Sequence, residues 1–260
     1  MHLLTLLSDF GLQDSYVGIL KGVILGILPE ATIVDLTHGV PPQDIAAARF
    51  QGLMAYPYFP QGTVHVAIVD PGVGGQRRAI AVQTTHAYFV APDNGLLSGI
   101  LQQDLIVQAV ELTNPDYWRS ARPSSTFHGR DIFAPAAAYL AQGVPISALG
   151  TSIDPATIVQ LQFPLSQPSR NTYHGSIQAI DHFGNLITNF PASLVQGHPW
   201  QLQFHQVAYA GQMTYGDVPK GDAIGLVGSH GYLELSINCG SAQLQLQAQV
   251  GDPIQLFLCE

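Results

Sequence analysis

Two hydrophobic periods alternate along the first part of the chain. Residues 3–7 form a short, mainly apolar run that stops at Ser8-Asp9-Phe10-Gly11, the pattern of a buried strand followed by a turn. Residues 14–28 then repeat apolar positions at helical spacing, and Pro29 ends them. The pair of patterns recurs: a strand over 31–36, a helix over 43–56 with Pro42 just ahead, and a strand over 63–69 closing at Asp70-Pro71-Gly72. Residues 79–83 and 87–91 read as a strand pair, 94–101 as a short helix and 132–141 as a longer one. Strand–helix alternation of this kind predicts an α/β domain with a mostly parallel sheet sandwiched by helices.

The pattern changes near Phe163. Pro164, Ser166, Gln167, Pro168 and Ser169 make a linker-like stretch. Beyond it come short alternating runs at 175–180, 200–207, 223–227, 232–237, 242–250 and 254–258, separated by Gly, Asn and Asp. The expected organisation is an α/β domain over residues 1–163, a linker over 164–172, and an all-β barrel or sandwich over 173–260.

Charge narrows the function. Only 10 % of residues are charged and 47 % are hydrophobic, against about 25 % charged in an average soluble domain. So little charge hints at a surface partly covered by further copies of the chain. The net charge is −9 and the nine Lys and Arg never cluster. Nucleic acid is thereby excluded as a partner, since phosphate binding needs a basic stripe. Cys239 and Cys259 form no CxxC pair and no disulfide framework, and read as unpaired thiols in a reducing compartment. The N-terminus lacks a basic leader region, and the apolar stretch near residues 17–28 is interrupted by Lys21, so neither a signal peptide nor a membrane span is expected. The expectation is a cytoplasmic protein.

Polar motifs stand where the apolar runs end: Ser8-Asp9-Phe10-Gly11, Val69-Asp70-Pro71-Gly72, Pro92-Asp93-Asn94-Gly95 and Phe127-His128-Gly129-Arg130-Asp131. Ligands of open α/β sheets collect beyond the carboxyl ends of strands, so acidic residues after the first and third strands should share one crevice. Each motif also has a plainer reading. Asp93-Asn94-Gly95 is a good turn and helix cap, Ser8-Asp9 could cap a helix, and Asp131 could simply favour a helix start. The glycine-rich stretch Gly72-Val73-Gly74-Gly75 lacks the Gly-Lys-Ser/Thr ending of a phosphate loop, and reads either as a β-turn or as a loop carrying Arg77 over a ligand, with Arg78 beside it. The ten histidines contain no HxH or HxxxH pair, so no metal site is expected.

Taken together and in order, the strings around Asp70 to Gly74 with Arg77, and Phe127 to Asp131, resemble the SAM hydroxide adenosyltransferase family. Ser8 to Gly11, Ala91 to Leu97 and Asp181-His182-Phe183-Gly184-Asn185-Leu186 are similar to it as well. The resemblance runs from about Leu4 to Ser241. It implies an N-terminal α/β domain, a C-terminal β domain and a homotrimer with active sites between subunits. It also implies hydrolysis of S-adenosyl-L-methionine (SAM) by water at the 5′-carbon, giving adenosine and methionine, with SAM as substrate and no cofactor. Asp70, Arg77 and His128 match the family's catalytic set. Asp9 matches the ribose-binding position, and Asp14 and Asp181 match acidic positions near the substrate, Asp181 by the methionine ammonium. Ser229 matches a contact for the methionine carboxylate, while Phe183 and Asn185 match the adenine contacts.

The family is related to the bacterial fluorinase and chlorinase, which attack SAM with halide. Those enzymes have Tyr where this chain has Asp70, an aromatic near Gln43, and no counterpart of His128. A carboxylate beside the nucleophile repels halide, so water is the expected nucleophile. Three alternatives remain beside hydrolysis: a 5′-halo-adenosine synthase, a non-catalytic SAM or adenosine sensor, and a metal-dependent phosphoesterase built on the strand-end aspartates.

Overall fold

The computed structural model describes residues 2–259, which divide into two compact units, one reaching Leu161 and the other beginning at Gln162. The first unit is built on a seven-stranded sheet. In chain order its elements are β1 (Leu3–Ser8), α1 (Tyr16–Ile27), β2 (Thr32–Thr37), α2 (Ile45–Ala55), β3 (Val64–Ile68), β4 (Ala79–Thr84), β5 (Tyr88–Pro92), α3 (Ile100–Gln103), β6 (Ile106–Glu111), α4 (Ala134–Gln142) and β7 (Thr151–Ser152). The strand order is β2-β1-β3-β5-β4-β6-β7. Strands β2, β1, β3 and β5 are parallel neighbours, β4 runs against β5, and β6 runs against β4, so these strands other than β4 share one direction. The mostly parallel sheet read from the sequence is the one observed.

Both faces of this sheet are covered. Leu4 and Leu6 of β1, with Val64, Val66 and Ile68 of β3, pack on one side with Leu20 and Ile24 of α1 and the alanine-rich α4. Leu7, Ala67 and Val69 point the other way, into a core with Ala48 and Leu53 of α2. Alternate residues of one strand thus enter opposite cores, which is why β1 and β3 are apolar at nearly every position rather than every second one.

The second unit is a barrel. Its strands are β8 (Ser166–Ser169), β9 (Thr172–Ile180), β10 (Leu186–Pro191), β11 (Trp200–Phe204), β12 (Val207–Gln212), β13 (Ala223–Val227), β14 (Tyr232–Ile237) and β15 (Pro253–Leu258). They lie in the order β10-β14-β13-β12-β11-β15-β9-β8, and a β10–β9 pairing closes the ring, with β8 added at the edge of β9. Ile177, Leu186, Phe190, Leu202, Phe204, Leu233, Leu235 and Leu256 fill the interior. The stretch 164–172 therefore carries a strand, β8, of its own.

Several elements depart from the periodicity. Residues 94–101 form mostly turn, because Gly95 and Gly99 take φ of +95° and +85°, and helix appears only at α3. Residues 242–250 alternate like a strand but open with a helical turn, α5 (Ala242–Leu246). Ser241 caps it by accepting a bond from the Leu244 amide, and Gln247 stops it at φ +53°. The run 200–207 is two strands, turned at His205-Gln206 with φ of +48° and +65°, the positive pair a tight hairpin requires. Strands β6 and β10 carry no clear periodic signal and have no counterpart among the expected elements.

A buried histidine ties stability to pH. His65 on β3 is 5 % exposed, stacked on Phe89 at 5.2 Å, and its Nδ1 lies 2.7 Å from the Thr5 hydroxyl. Burial, and then the nearby His86 charge, push its pKa down to about 4. The native state thus releases a proton that the unfolded chain binds from about pH 6.5 downward, so stability is lost as pH falls from that value to about 4. Between pH 7.5 and 4.5 the urea-derived stability of the native chain should drop by about 2 kcal/mol more than that of a His65→Gln variant. Equal drops would show that folding does not lower the His65 pKa.

Candidate active site

Parallel pairing of β1 with β3 aligns Ser8 with Ile68, so Asp9 and Asp70 emerge side by side at the carboxyl ends of adjacent strands. They line one cleft of about 430 Å³ with Phe10, Tyr16, Gln43 and Ile68. Pro71, Val73, Thr126, Phe127, His128 and Gly129 complete the wall. A cleft of this size suits a small organic ligand. The shared crevice expected from the strand ends is therefore present.

Asp70 is clamped by Arg77. The guanidinium Nε donates to the two carboxylate oxygens at 2.9 and 3.0 Å, and a terminal nitrogen also donates to Oδ2. That same terminal nitrogen lies 2.8 Å from Nδ1 of His128. A guanidinium can only donate, so Nδ1 accepts and a neutral imidazole carries its proton on Nε2. Burial, and then the Arg77 charge, hold His128 below the usual histidine range, which favours that neutral form. Both members of the ion pair are mostly buried, with side chains 6 % and 11 % exposed, and the guanidinium lies over the Phe133 ring at 5.3 Å. Asp70 and His128 line the cleft; Arg77 is not a lining residue and links the two.

Local structure explains how Arg77 returns to Asp70. The Val73 amide bonds the Asp70 carbonyl and the Gly75 amide bonds the Gly72 carbonyl, so the glycine-rich stretch folds as tight turns. Gly74 has φ +74°, and a Cβ there would lie 2.1 Å from the Ser125 carbonyl oxygen. On the other side, Phe127 and His128 immediately precede a π-helical turn over Gly129–Phe133 that leads into α4. Phe10, Tyr16 and Phe127 meet edge to face or tilted, with centroids 5.2 to 6.0 Å apart, and supply an apolar wall beside the polar set.

The remaining polar motifs of this unit resolve differently. Asp9 accepts the Gln43 amide at 2.8 Å on one carboxylate oxygen. Helix α1 starts at Tyr16, so Ser8 is no helix cap; its hydroxyl meets Nδ1 of His38 instead. Asp14 is exposed and does not line the cleft. Arg78 is committed elsewhere: it bonds Asp93 at 2.5 and 2.8 Å and Thr157 at 2.6 and 3.0 Å. Asp93 also accepts the Val159 amide, so it serves the fold. Asp131 is held by Arg130 and the Ser124 amide, which keep its carboxyl below its ordinary range. Gln43 is a cleft residue that sequence reasoning missed. It lines the cleft at φ +67°, a strained value for a residue with a side chain, and only its place after Pro41-Pro42 and before the helix cap Asp44 hints at an unusual turn.

The other candidates belong to the barrel. Asp181 accepts the Phe183 and Asn185 amides on one oxygen and the Asn185 side chain on the other, at 2.8 to 2.9 Å. It organises a turn in which Gly184, at φ +83°, packs against Ser241. Phe183 stands 73 % exposed on that turn, while Asn185 is buried. Ser229 is exposed at the hairpin between β13 and β14. Among the described residues, no group of three or more His, Cys, Asp or Glu could hold a metal ion, and no helix is long and apolar enough to cross a membrane.

Family models settle the relationship: residues 4–150 match the SAM hydroxide adenosyltransferase N-terminal domain and residues 175–255 its C-terminal domain. The chain belongs to the SAM hydroxide adenosyltransferase family. It is 39 % identical over 250 residues to a protein of Salinispora arenicola named (R)-S-adenosyl-L-methionine hydrolase, covering 96 % of this chain and 95 % of that one. A fluorinase of an Actinoplanes species is more distant, 30 % identical over 275 residues and 91 % of each chain. Among solved structures, a conserved protein of Thermotoga maritima superposes with a TM-score of 0.90 at 33 % identity, over 98 % of this chain and 99 % of that one. Both domains of the SAM hydroxide adenosyltransferases are thus present in this chain.

The turn that carries Arg77 should tolerate no side chain at Gly74. A Gly74→Ala variant is expected to lose at least about 2 kcal/mol in urea unfolding, because strain and backbone overlap add. Gly62→Ala, also at positive φ (+85°) but with open space around it, should lose only about 1 kcal/mol. Equal losses would show that the Ser125 contact does not constrain the loop.

Proposed function

We propose that the chain hydrolyses SAM, attacking the 5′-carbon with water to give adenosine and L-methionine, and that Asp70, Arg77 and His128 act as the catalytic set. The observation that carries this reading is the Asp70–Arg77–His128 linkage at the cleft, in a chain similar over nearly all its length to proteins named SAM hydrolases.

The chemistry needs little beyond positioning. The sulfonium makes methionine a good leaving group, since the breaking carbon–sulfur bond returns its electron pair to sulfur and leaves a neutral thioether. A carbon–oxygen bond forms from water to the 5′-carbon, and one proton is released. What must be supplied is a water held close and in line. Asp70 accepts a hydrogen bond from that water, and Nε2–H of a neutral His128 donates one to its oxygen. Arg77 fixes both partners and offsets the Asp70 charge, so the pair contributes little net charge and the substrate sulfonium supplies most of the pull on a forming hydroxide.

Binding follows the same reading. Asp9, whose one oxygen is taken by Gln43, offers the other to the ribose hydroxyls. Asp14, Asp181, Phe183, Asn185 and Ser229 contact the rest of the substrate, Phe183 stacking on adenine and Ser229 meeting the methionine carboxylate. We place the active enzyme in the cytoplasm as a homotrimer that uses no metal or cofactor, with the low charge content in support of self-association. The working division of the chain is an α/β domain over 1–163, a linker over 164–172 and a β domain over 173–260.

The fluorinase similarity raises a halogenase as the second reading. The Asp70 carboxylate lining the cleft opposes it, since an ionised carboxylate can only accept: it can take a hydrogen bond from a water but has none to give a halide.

Purified, metal-stripped protein incubated with SAM in ¹⁸O-labelled water, with and without chloride, decides among these. The expected products are adenosine labelled at the 5′-oxygen and unlabelled methionine, in either salt. A chlorinated nucleoside would establish the halogenase, and SAM binding without turnover would establish a sensor. The kcat/KM of the active enzyme should fall only below the ordinary histidine range, because the His128 pKa is lowered and protonation at Nδ1 would oppose Arg77. An acid limb centred above about pH 6.5 would rule out neutral His128 as the working form.

A further inference from the structure

The barrel holds a buried polar cluster that the reading above leaves unused. Glu234 on β14 is 3 % exposed, yet its carboxylate is fully engaged. One oxygen accepts the Tyr215 hydroxyl at 2.5 Å and the Ser236 hydroxyl at 2.9 Å, and the other lies 2.9 Å from Nε2 of His230. The Tyr232 amide donates to Nδ1 of His230 at 3.1 Å, so Nδ1 accepts and Nε2–H donates the hydrogen bond that Glu234 accepts. Each donor lost from a buried carboxylate leaves it less well satisfied, so the three hold one another's geometry.

The cluster shapes a particular piece of backbone. His230 belongs to the turn 228–231 that joins β13 to β14, with Ser229 at its exposed tip. That turn closes through Gly228 N to the Tyr232 carbonyl and Gly231 N to the Gly228 carbonyl, both 2.9 Å. A Cβ at residue 228 would fall 2.3 Å from Nε2 of His230 and 2.5 Å from the Glu234 carboxylate, so a side chain there would have to displace that pair. The turn therefore leans directly on the Glu234–His230 contact. Tyr215, 41 % exposed, brings the cluster to the surface, where the Asp181 charge also acts on it.

We propose that Glu234 is a positioning residue for substrate recognition, holding the 228–231 turn through His230 and Tyr215 so that Ser229 meets the carboxylate of the amino-acid end of the substrate. The proposal rests on the SAM reading and on Ser229's place in it. Glu234 itself does not bind that carboxylate, which it would repel; its oxygens are taken by its three donors. Its loss should weaken binding of the amino-acid end and leave the chemical step, made by residues of the other unit, unchanged.

The test compares SAM with its analogue in which hydrogen replaces the amino-acid carboxylate, using the full-length wild type, Glu234→Gln and Tyr215→Phe. Gln keeps the shape but turns one acceptor into a donor, and Phe removes a single donor at a half-exposed site. For Glu234→Gln, KM for SAM should rise about tenfold with kcat within about twofold, while KM for the analogue stays at the wild-type value. Tyr215→Phe should show the same pattern at about threefold, and it decides the matter if Glu234→Gln does not fold. An equal KM rise for both substrates, a loss confined to kcat, or no change in Tyr215→Phe would each overturn the proposal. Wild type that turns over both substrates with the same KM would overturn it too, while leaving hydrolysis standing. Wild type that turns over neither would refute the hydrolase reading instead.

Discussion

The site is organised by one buried ion pair. Asp70 and Arg77 are both mostly withdrawn from water, and neither would be tolerated there alone: removing one partner of a buried pair costs about 3–5 kcal/mol. Their bond therefore fixes the glycine turn between them, and the guanidinium's terminal nitrogen fixes His128. Three side chains from two distant stretches of sequence become one rigid unit with two members facing the cleft. The same bond holds His128 in the tautomer whose Nε2–H is left to donate.

The sheet makes that arrangement possible. Adjacent parallel strands end at the same edge, so Asp9 and Asp70 reach the cleft without any special loop. Apolar packing on both faces of β1 and β3 anchors those strand ends, and the segments leading into α1 and α4 bring Tyr16 and Phe127 to the cleft wall. Rigid elements carry the polar groups and short turns aim them, which is how a site keeps sub-ångström geometry.

Much of this is legible in the sequence, for identifiable reasons. Strands buried on both faces read as nearly continuous apolar runs, and the ends of the first and third runs mark cleft residues, so the pattern alone puts Asp9 and Asp70 together. Arg77 is different: nothing in its spacing distinguishes it from Arg78, and only the fold shows Arg78 spent on Asp93 and Thr157. Its assignment comes from family resemblance alone. Gln43 escapes because its strained backbone leaves no mark in residue type. In the barrel, residues 242–250 alternate like a strand, yet the Ser241 cap wins locally and starts a helix. Asp181 stays ambiguous from sequence because a turn-organising carboxylate and a ligand-binding one use the same residue, and its oxygens are already engaged by its own turn.

A double-mutant cycle on Asp70→Asn and His128→Gln, read as kcat/KM for SAM, tests most directly whether the triad works as one unit. If Arg77 locks the two into a single water-holding device, either change alone should forfeit nearly all the benefit, and the double variant should be no slower than the worse single one, to within about threefold. Costs that simply multiply would mean that Asp70 and His128 act independently, and the shared clamp would not be the basis of the site.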